Sequence, residues 1–217
     1  MNNNRKIFIT GIGTDVGKTI VSAILVQTLG YDYWKPIQAG NLDNSDSKHV
    51  KKLIDRNDVT IHEEFMKLSQ PLSPHIASEM DNKHILLKNI KIPVTKHGLV
   101  IEGAGGLMVP INNEESIIDL IEKIKADVVI VSKHYLGSIN HSLLTFEALK
   151  SRNIPVAGWV FNGDENQSTE NIILNKSNLP KLFSIKNEVH ITRQVINKYS
   201  QEILKSVNNN WIEDMRS

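Results

Sequence analysis

The segment Lys6-Ile-Phe-Ile-Thr-Gly-Ile-Gly-Thr-Asp-Val-Gly-Lys-Thr-Ile joins an apolar run to a helical pattern through a glycine-rich turn. Lys6 to Thr10 alternates and is rich in β-branched residues, which predicts a strand. Apolar residues recur at helical spacing from Ile20 onwards, which predicts a helix that ends near Leu29-Gly30. Backbone N–H groups in such a turn converge at the positive end of a helix dipole, where they can bind phosphate. Lys18 can reach the outer phosphates, and the Thr19 hydroxyl can bind Mg²⁺. The segment therefore predicts a site for a nucleoside triphosphate.

The match to the usual phosphate-loop pattern, G-x-x-x-x-G-K-S/T, has one departure. Ile12 stands where the first glycine of the pattern belongs, with Gly11 and Gly13 on either side. A Gly-Lys-Thr in a chance surface turn is the alternative interpretation. The strand before the loop and the amphipathic run after it favour the phosphate loop, because the motif needs that context.

Composition narrows the class of protein. The 217 residues carry a net charge of +1, which gives no electrostatic reason to expect nucleic acid or an anionic membrane as a partner. The chain has no cysteine, which excludes disulfides and thiol catalysis. No apolar run approaches the length of a membrane span or a signal peptide. We expect a cytoplasmic protein with one domain over residues 1–217.

A second lysine is placed where it could meet the phosphate loop. Tyr31 to Ile37 predicts a short strand stopped by Pro36, so Lys35 lies at a strand's carboxyl end. Open parallel sheets bind ligands at that edge, and Lys35 could face the same phosphates as Lys18. The alternative, a solvated lysine at a strand end, is open on this pattern alone.

Two carboxylates are candidates for binding Mg²⁺, which prefers hard oxygen ligands. Ser47 to Ile54 predicts a short helix capped by Ser45 or Asp46, and Asp46 could bind the metal or serve only as a cap. Leu99 to Ile101 predicts a buried strand, and Glu102 follows it directly, before a loop with three glycines. An acid there suits a magnesium or water-orienting carboxylate, and an incidental acid in a tight turn is the alternative.

The rest of the chain alternates helical and strand patterns. Asn113 to Lys125 predicts a helix, and three strands are predicted over Asp127 to Ser132, Val156 to Asn162 and Leu182 to Ile185. Apolar residues from Ile191 to Val207 predict a final amphipathic helix. This alternation predicts an α/β fold, a P-loop NTPase-type, mostly parallel sheet flanked by helices on both faces.

Polar residues also stand at two later element ends. A helix predicted to open at about Ser138 has N–H groups that, beside Asn140, form a second possible anion site, although Ser138 could be only an N-cap. Asn162 and Gly163 end a strand on the ligand side of the sheet. The Asn162 amide has a donor and an acceptor that suit the edge of a purine, and the alternative is that Asn-Gly only forms a turn. In the helix predicted to open at about Ser138, the predicted buried side comprises Leu143, Leu144, Ala148 and Leu149.

Four separated segments occur in order: Gly11-Ile-Gly-Thr-Asp-Val-Gly-Lys-Thr, Lys35-Pro-Ile-Gln-Ala-Gly, Glu102-Gly-Ala-Gly-Gly and Leu136-Gly-Ser-Ile-Asn-His. Followed by Gly158-Trp-Val-Phe-Asn-Gly, they resemble the dethiobiotin synthetase family, ATP-dependent enzymes that close the ureido ring in biotin synthesis. Many ATPases share the phosphate loop, so the other segments carry the specificity. The resemblance covers nearly the whole chain.

The resemblance implies a ligase and a reaction. The family acts as a homodimer, with its active site at the subunit interface, on 7,8-diaminononanoate, CO₂ or bicarbonate, and ATP with Mg²⁺. The diamine forms a carbamate whose oxygen attacks the γ-phosphate, and the second amine then closes the ring with loss of phosphate.

The resemblance also implies roles, carried over by position. Lys35, Lys18 and Thr14 would act in catalysis, with the Lys35 cation stabilising the carbamate. Mg²⁺ would be held by Thr19, Asp46 and Glu102. ATP would be bound by these three and by Gly13, Thr14, Asp15, Val16, Gly17, Lys18, Ile20, Gly103, Ala104, Gly105, Asn162 and Gly163. The diamine substrate would be bound by Lys35, Ala39, Gly137, Ser138, Ile139 and Asn140, the last four from the partner subunit.

Two segments depart from the family's pattern. Ala39 stands where the family commonly has a Ser or Thr hydroxyl that contacts the substrate. The segment Leu182 to Glu188 replaces the usual Gly-x-Ile-Pro near the base, which leaves the nucleotide preference open. The turn from the first helix to the second strand is also short for the family. None of these departures removes a catalytic group.

Three other classes compete with this interpretation. The deviant P-loop ATPases of chromosome partition or septum placement carry a second lysine where this chain has Gly13, and a lysine at position 35 has no role in them. Amidoligase-type ATPases such as the cobyrinic acid diamide synthases usually add a glutaminase domain, for which this chain has neither the room nor a cysteine nucleophile. A non-catalytic nucleotide-binding module would have to explain Lys18, Lys35 and Glu102 together.

Overall fold

The computed structural model of the protein describes residues 5–206 and residue 211. Within them, the β-strands are β1 (Lys6–Gly11), β2 (Asp32–Trp34), β3 (Ile37–Ala39), β4 (Ile61–His62), β5 (Met66–Leu68), β6 (Leu99–Glu102), β7 (Asp127–Lys133), β8 (Val156–Asn162) and β9 (Lys181–Ile185). The α-helices are α1 (Lys18–Leu29), α2 (Asp46–Leu53), α3 (Pro74–Met80), α4 (Ile117–Ile124), α5 (Ser138–Ser151), α6 (Gln167–Ser177) and α7 (Arg193–Lys205).

Seven strands form one sheet in the order β4-β2-β6-β1-β7-β8-β9. Every neighbouring pair in it is parallel, so the carboxyl ends of all seven strands meet at the same edge. Strand β1 lies at the centre, between β6 and β7, which places the phosphate loop in the middle of that edge. This architecture confirms the predicted α/β fold.

The central strand is apolar on both sides because helices cover both faces of the sheet. Ile7 and Ile9 point to one face, where they pack in a cluster with residues of α1, α2 and α7. Phe8, between them, points to the other face and packs in a cluster with residues of α4, α5 and α6. Successive side chains of a strand alternate between faces, so a continuous apolar run requires cover on both.

The first helix ends as its sequence predicts. Gly30 adopts a left-handed conformation, with φ of 70°, and its N–H donates a hydrogen bond to the carbonyl of Val26. A left-handed residue cannot continue a right-handed helix, and glycine adopts that conformation without steric cost. The turn that follows leads directly into β2.

The prediction of one strand from Tyr31 to Ile37 is wrong in extent. Strand β2 ends at Trp34, and Pro36, which has no N–H to donate, separates it from β3. Strand β3 leaves the main sheet and pairs in parallel with β5. Lys35 therefore lies in the break between two strands of different sheets.

Two helices also differ from their predictions. The helix predicted over Asn113 to Lys125 begins only at Ile117, because Ser116 and Asp119 form a capping box at its start. In α5, Leu144 is 60% exposed, although it was expected on the buried side. Ser142 and Phe146 are buried there in its place.

The amphipathic helix expected near the C-terminus is α7. Ile196, Tyr199 and Ile203 lie on its buried side and pack in the same cluster as α1. Val207, the last residue of the predicted stripe, lies outside the described residues. In residues 5–206, no helix is long and apolar enough to cross a membrane.

Candidate active site

An open cleft of about 870 Å³ lies at the carboxyl edge of the main sheet. Lys18 of the phosphate loop, Lys35 and Glu102 all line it. They come together because β6 lies between β2 and β1, so the ends of these three strands are neighbours. Open parallel sheets bind their ligands at this edge, and the cleft has the size of a small-molecule site.

Lys18 lies at the bottom of the phosphate loop and is buried. Its Nζ donates a 2.9 Å hydrogen bond to the carbonyl of Gly13. Burial lowers the pKa of Lys18 to about 8, against the attraction of Glu102, which raises it. The ammonium group therefore lacks a strong anionic partner, which a phosphate group would supply.

Lys35 is also buried, with its side chain 6% exposed, so the alternative of a solvated lysine is wrong. Its Nζ lies 2.5 Å from Asp46 Oδ2 and 3.0 Å from Glu102 Oε1. Burial alone would lower the pKa of Lys35, but these two carboxylates outweigh burial and raise it above its usual value. Lys35 therefore stays a cation at neutral pH.

Three side chains whose oxygen atoms could bind a metal ion lie close together beside this ion pair. The Thr19 hydroxyl lies 2.8 Å from Glu102 Oε1 and 3.2 Å from Asp46 Oδ1. Asp46 is free for this arrangement because Ser45 is the N-cap of α2, its side chain accepting from the N–H of Lys48. The alternative of Asp46 as only a cap is therefore wrong.

This donor set fits Mg²⁺ by its chemistry. Mg²⁺ in nucleotide sites is usually held by one or two carboxylates together with water and phosphate oxygens. Thr19, Asp46 and Glu102 supply two carboxylates and a hydroxyl. Among the described residues, no group of three or more His, Cys, Asp or Glu side chains could hold a metal by itself. The set suits a cation that is shared with a triphosphate.

Tyr33, which lies under Glu102, is a site residue that the sequence motifs do not predict. Its side chain is fully buried, and its hydroxyl donates a 2.8 Å hydrogen bond to Glu102 Oε2. Burial, together with the negative charge of Glu102, raises the pKa of Tyr33 well above its usual value, so the phenol stays a donor. The available signal was its place two residues before Lys35, on a strand predicted to lie in the sheet.

Gln38 is a second site residue that the motifs do not predict. It is buried, and its side-chain carbonyl accepts a 3.2 Å hydrogen bond from the backbone N–H of Asp46. Its amide group donates to the carbonyl of Gly40 at 3.0 Å. No sequence pattern predicts the contact with Asp46, because it joins strand β3 to the start of α2 across a loop.

Of the 21 site residues expected from the sequence, 12 line the cleft and nine lie outside its lining. Asn162 contacts the phosphate loop, where its amide donates a 2.8 Å hydrogen bond to the carbonyl of Val16. The cleft is lined by the expected residues Thr14, Asp15, Gly17, Lys18, Thr19, Ile20, Lys35, Ala39, Asp46, Glu102, Ala104 and Gly105. The expected residues outside that lining are Gly13, Val16, Gly103, Gly137, Ser138, Ile139, Asn140, Asn162 and Gly163.

The start of α5 also differs in detail from its expected form. Gly137, with φ of 102°, is the N-cap, and Ser138 is the first helical residue and is buried. The alternative of Ser138 as the N-cap is therefore wrong. Asn140, in the first turn, is exposed.

Comparison with known proteins identifies the family. A family model described as an AAA domain matches residues 5–195. An ATP-dependent dethiobiotin synthetase BioD of Christiangramia forsetii is 50% identical over 201 residues, which cover 93% of this chain and 97% of that protein. The chain belongs to the dethiobiotin synthetase family. A relative of the same name from Cytophaga hutchinsonii is 45% identical over 210 residues, covering 96% of this chain and 100% of that protein.

Solved structures with a similar fold come from the septum-placement ATPases. The septum site-determining protein MinD of Pyrococcus horikoshii superposes with a TM-score of 0.55 at 14% identity, covering 98% of this chain and 94% of that one. The cell division ATPase MinD of Pyrococcus furiosus superposes with a TM-score of 0.51 at 14% identity. The match covers 100% of this chain and 97% of that one. At this identity the likeness shows the fold alone, and it confirms the predicted P-loop NTPase type.

Proposed function

We propose that this chain is an ATP-dependent ligase that closes the ureido ring of dethiobiotin from 7,8-diaminononanoate and CO₂. ATP supplies the driving force and leaves as ADP and phosphate. The observation that carries the proposal is that Lys18, Lys35, Asp46 and Glu102 meet in one cleft at the end of β1. The identity to relatives named for this activity supports it. We propose that residues 1–217 act as one synthetase domain.

The phosphate loop binds the nucleotide in this proposal. The backbone N–H groups of residues 13–18 lie at the start of α1, where the helix dipole favours an anion. Lys18 exchanges its hydrogen bond to the Gly13 carbonyl for the outer phosphates, which supply the charge that its buried ammonium lacks. Asn162, against the loop, contributes to the adenine site.

Thr19, Asp46 and Glu102 would hold Mg²⁺ in the same cleft. The ion would supply positive charge beside the phosphate oxygens. Thr14, at the reacting end of the loop, and the backbone of Ala104 and Gly105 complete the wall around the triphosphate. Most of the catalytic effect in such a site comes from positioning and charge.

Lys35 acts on the transferred group. Its cation stabilises the carbamate formed from the diamine and CO₂, and then the charge that moves as the carbamate oxygen attacks the γ-phosphate. Its raised pKa keeps the ammonium protonated for this task. Ring closure follows when the second amine attacks the activated carbamate carbon and phosphate leaves.

The diamine itself has an apolar chain and a carboxylate. The cleft carries apolar side chains on Ile37, Ala39 and Leu72, which suit the alkyl chain. Ala39 offers no hydroxyl, so the amine end depends on Lys35 and backbone groups. The carboxylate binds at Gly137 to Asn140 of a partner subunit, because in this chain that segment lies outside the cleft lining.

The test is ADP release from Mg·ATP with bicarbonate, measured with and without 7,8-diaminononanoate and followed by mass detection of product. We expect diamine-dependent ADP release and a product of dethiobiotin mass. An equal rate of ADP release with and without the diamine would contradict the proposal and favour a switch ATPase. The Lys35→Ala variant should lose ring closure and still bind ATP, whereas Lys176→Ala, at an exposed lysine of α6, should keep both.

A further inference from the structure

The side chain of Tyr33 lies directly below the cleft and has no role in the reaction proposed above. Its ring packs in the apolar cluster between the sheet and α1, where it is fully buried. A buried phenol hydroxyl needs a polar partner, and many kinds of partner would satisfy it. Here the partner is Glu102 Oε2, at 2.8 Å. The contact joins the core to a carboxylate that faces the nucleotide site.

The two oxygens of the Glu102 carboxylate have different partners. Oε1 faces the cleft, where it accepts from the Thr19 hydroxyl at 2.8 Å and from Lys35 Nζ at 3.0 Å. Oε2 faces the interior, where it accepts from Tyr33. The terminal torsion of a glutamate has a broad preference, so the side chain does not fix its own carboxylate plane. The Tyr33 hydroxyl fixes it by holding the oxygen that the cleft does not use.

The register of the sheet explains why Tyr33 reaches this oxygen. Tyr33 on β2 pairs with Val100 on β6, and both point to the face covered by α1. Glu102 lies two residues farther along β6 and therefore on the same face, about 6.6 Å towards the carboxyl edge. A tyrosine side chain spans that distance, whereas a shorter side chain at position 33 would end below the carboxylate.

We propose that Tyr33 is a positioning residue, which holds the Glu102 carboxylate so that Oε1 stays directed at Thr19 and the magnesium site. The inference rests on the proposed function, because that function assigns Glu102 to Mg²⁺. Outer partners of metal-binding carboxylates commonly change metal affinity by 10- to 100-fold when they are removed. Tyr33 is such a partner, supplied by the strand that also delivers Lys35.

The test compares the wild-type protein with Tyr33→Phe, which removes only the hydroxyl. Binding of the non-hydrolysable ATP analogue AMPPNP is measured by calorimetry at increasing Mg²⁺ and in its absence. For Tyr33→Phe we expect the Mg²⁺ concentration at half-maximal binding to rise about 10-fold. Binding without Mg²⁺ should stay within about twofold, because the phosphate loop is unchanged. In turnover, kcat should fall while the KM for the diamine stays constant.

The matched control is Tyr31→Phe, since the Tyr31 ring is also buried but lies against Gly98, at the opposite end of β6. It should leave the Mg²⁺ dependence unchanged. In a Glu102→Gln background, Tyr33→Phe should have no further effect on Mg²⁺ dependence if Tyr33 acts through Glu102.

Three results would overturn the inference. They are an unchanged Mg²⁺ dependence in Tyr33→Phe, an equal loss of binding with and without Mg²⁺, and loss of the fold, which would make the hydroxyl a structural requirement. Wild-type protein that binds AMPPNP with no Mg²⁺ dependence would instead contradict the proposed function itself, so the two failures are distinct.

Discussion

Lys18 and Lys35 carry the same side chain in the same cleft, yet their pKa values move in opposite directions. Both are buried, and burial lowers the pKa of each. Lys35 is in direct contact with two carboxylates, which reverse the effect of burial, whereas Lys18 contacts the Gly13 carbonyl. A buried ammonium without an anionic partner destabilises the ligand-free protein and gains most when a phosphate arrives.

The pKa of Lys18 leads to a prediction about stability. Its value of about 8 in the folded protein lies below the usual 10.5, so between these pH values the unfolded chain binds more protons at this group. Its contribution to the free energy of unfolding therefore increases as pH rises through that window. We expect the ligand-free wild type to gain about 2 kcal/mol relative to Lys18→Met between about pH 7 and pH 10. Urea unfolding of both proteins at each pH measures it.

The comparison with Lys18→Met cancels the titration of the other groups. A stability difference that stays constant over this pH range would mean that Lys18 has an ordinary pKa in the folded protein. Lys176→Met, at an exposed position on α6, serves as the control and should show no pH-dependent difference from wild type.

At the scale of single residues, sequence reasoning finds the groups that end strands. Lys35 and Glu102 are polar residues at the ends of apolar runs, Lys18 closes a glycine-rich loop motif, and the parallel sheet brings all three to one edge. Tyr33 and Gln38 escape such reasoning because nothing local marks them. Their partners are set by strand register and by the path of a loop, which only the folded chain defines.

Among the elements, α2 is the one whose position matters most for the site. It presents Asp46 from its first turn, and two different side chains hold its start. Ser45 caps the helix through the N–H of Lys48, and Gln38 accepts from the N–H of Asp46 itself. The first contact stabilises the helix, and the second ties it to the cleft.

This division predicts different effects for two variants. Gln38→Leu should raise the Mg²⁺ concentration needed for nucleotide binding about 10-fold, because Asp46 is no longer held in place. Ser45→Ala should lower the free energy of unfolding by about 1 kcal/mol through loss of the cap, with a smaller effect on Mg²⁺ dependence. Calorimetric titration and urea unfolding measure the two quantities. If both variants changed Mg²⁺ dependence and the free energy of unfolding equally, the two contacts would not have the separate roles that we assign to them.

The elements themselves were predictable where a periodic pattern was long. The run that became β7 is apolar on both sides, and α1 has a clear glycine stop, so both were predicted closely. The failures lie at short elements, where a local contact decides the boundary. Pro36 divides what the pattern made one strand, and the capping box of Ser116 delays α4. Hydrophobic pattern carries no information about either contact.

For the whole molecule, our proposal divides the substrate site between two copies of the chain. The start of α5, proposed to bind the substrate carboxylate, lies outside the cleft that holds Lys35. Its Asn140 is exposed, so a partner's cleft can reach it. If each active site combines residues of two subunits, a mixed dimer of two inactive variants contains one site in which both contributing segments are unmutated.

We therefore expect Asn140→Asp to raise the KM for the diamine at least about 10-fold by repelling its carboxylate, since a lost charged contact costs that much. An acidic residue in the first turn of a helix is favourable, so the fold should be kept. Mixing this variant with Lys35→Ala, each nearly inactive at low diamine, should restore about a quarter of wild-type activity in a two-site dimer. Activity assays after unfolding and refolding the mixture measure this. No recovery in a confirmed mixed dimer would place the whole site in one chain.

The central place of β1 in the sheet also bears on how the protein is made. Its two neighbours come from far along the chain, since Lys6 pairs with Leu99 and Ile7 with Asp127. Such long-range parallel pairing is slow, because the intervening chain must be ordered before the contacts can form. During synthesis, the phosphate loop leaves the ribosome before β6 and β7, and it lacks its folded surroundings until β7 has followed it. The phosphate loop is thus translated before the other segments of the site, yet it becomes able to bind its nucleotide only after they have followed.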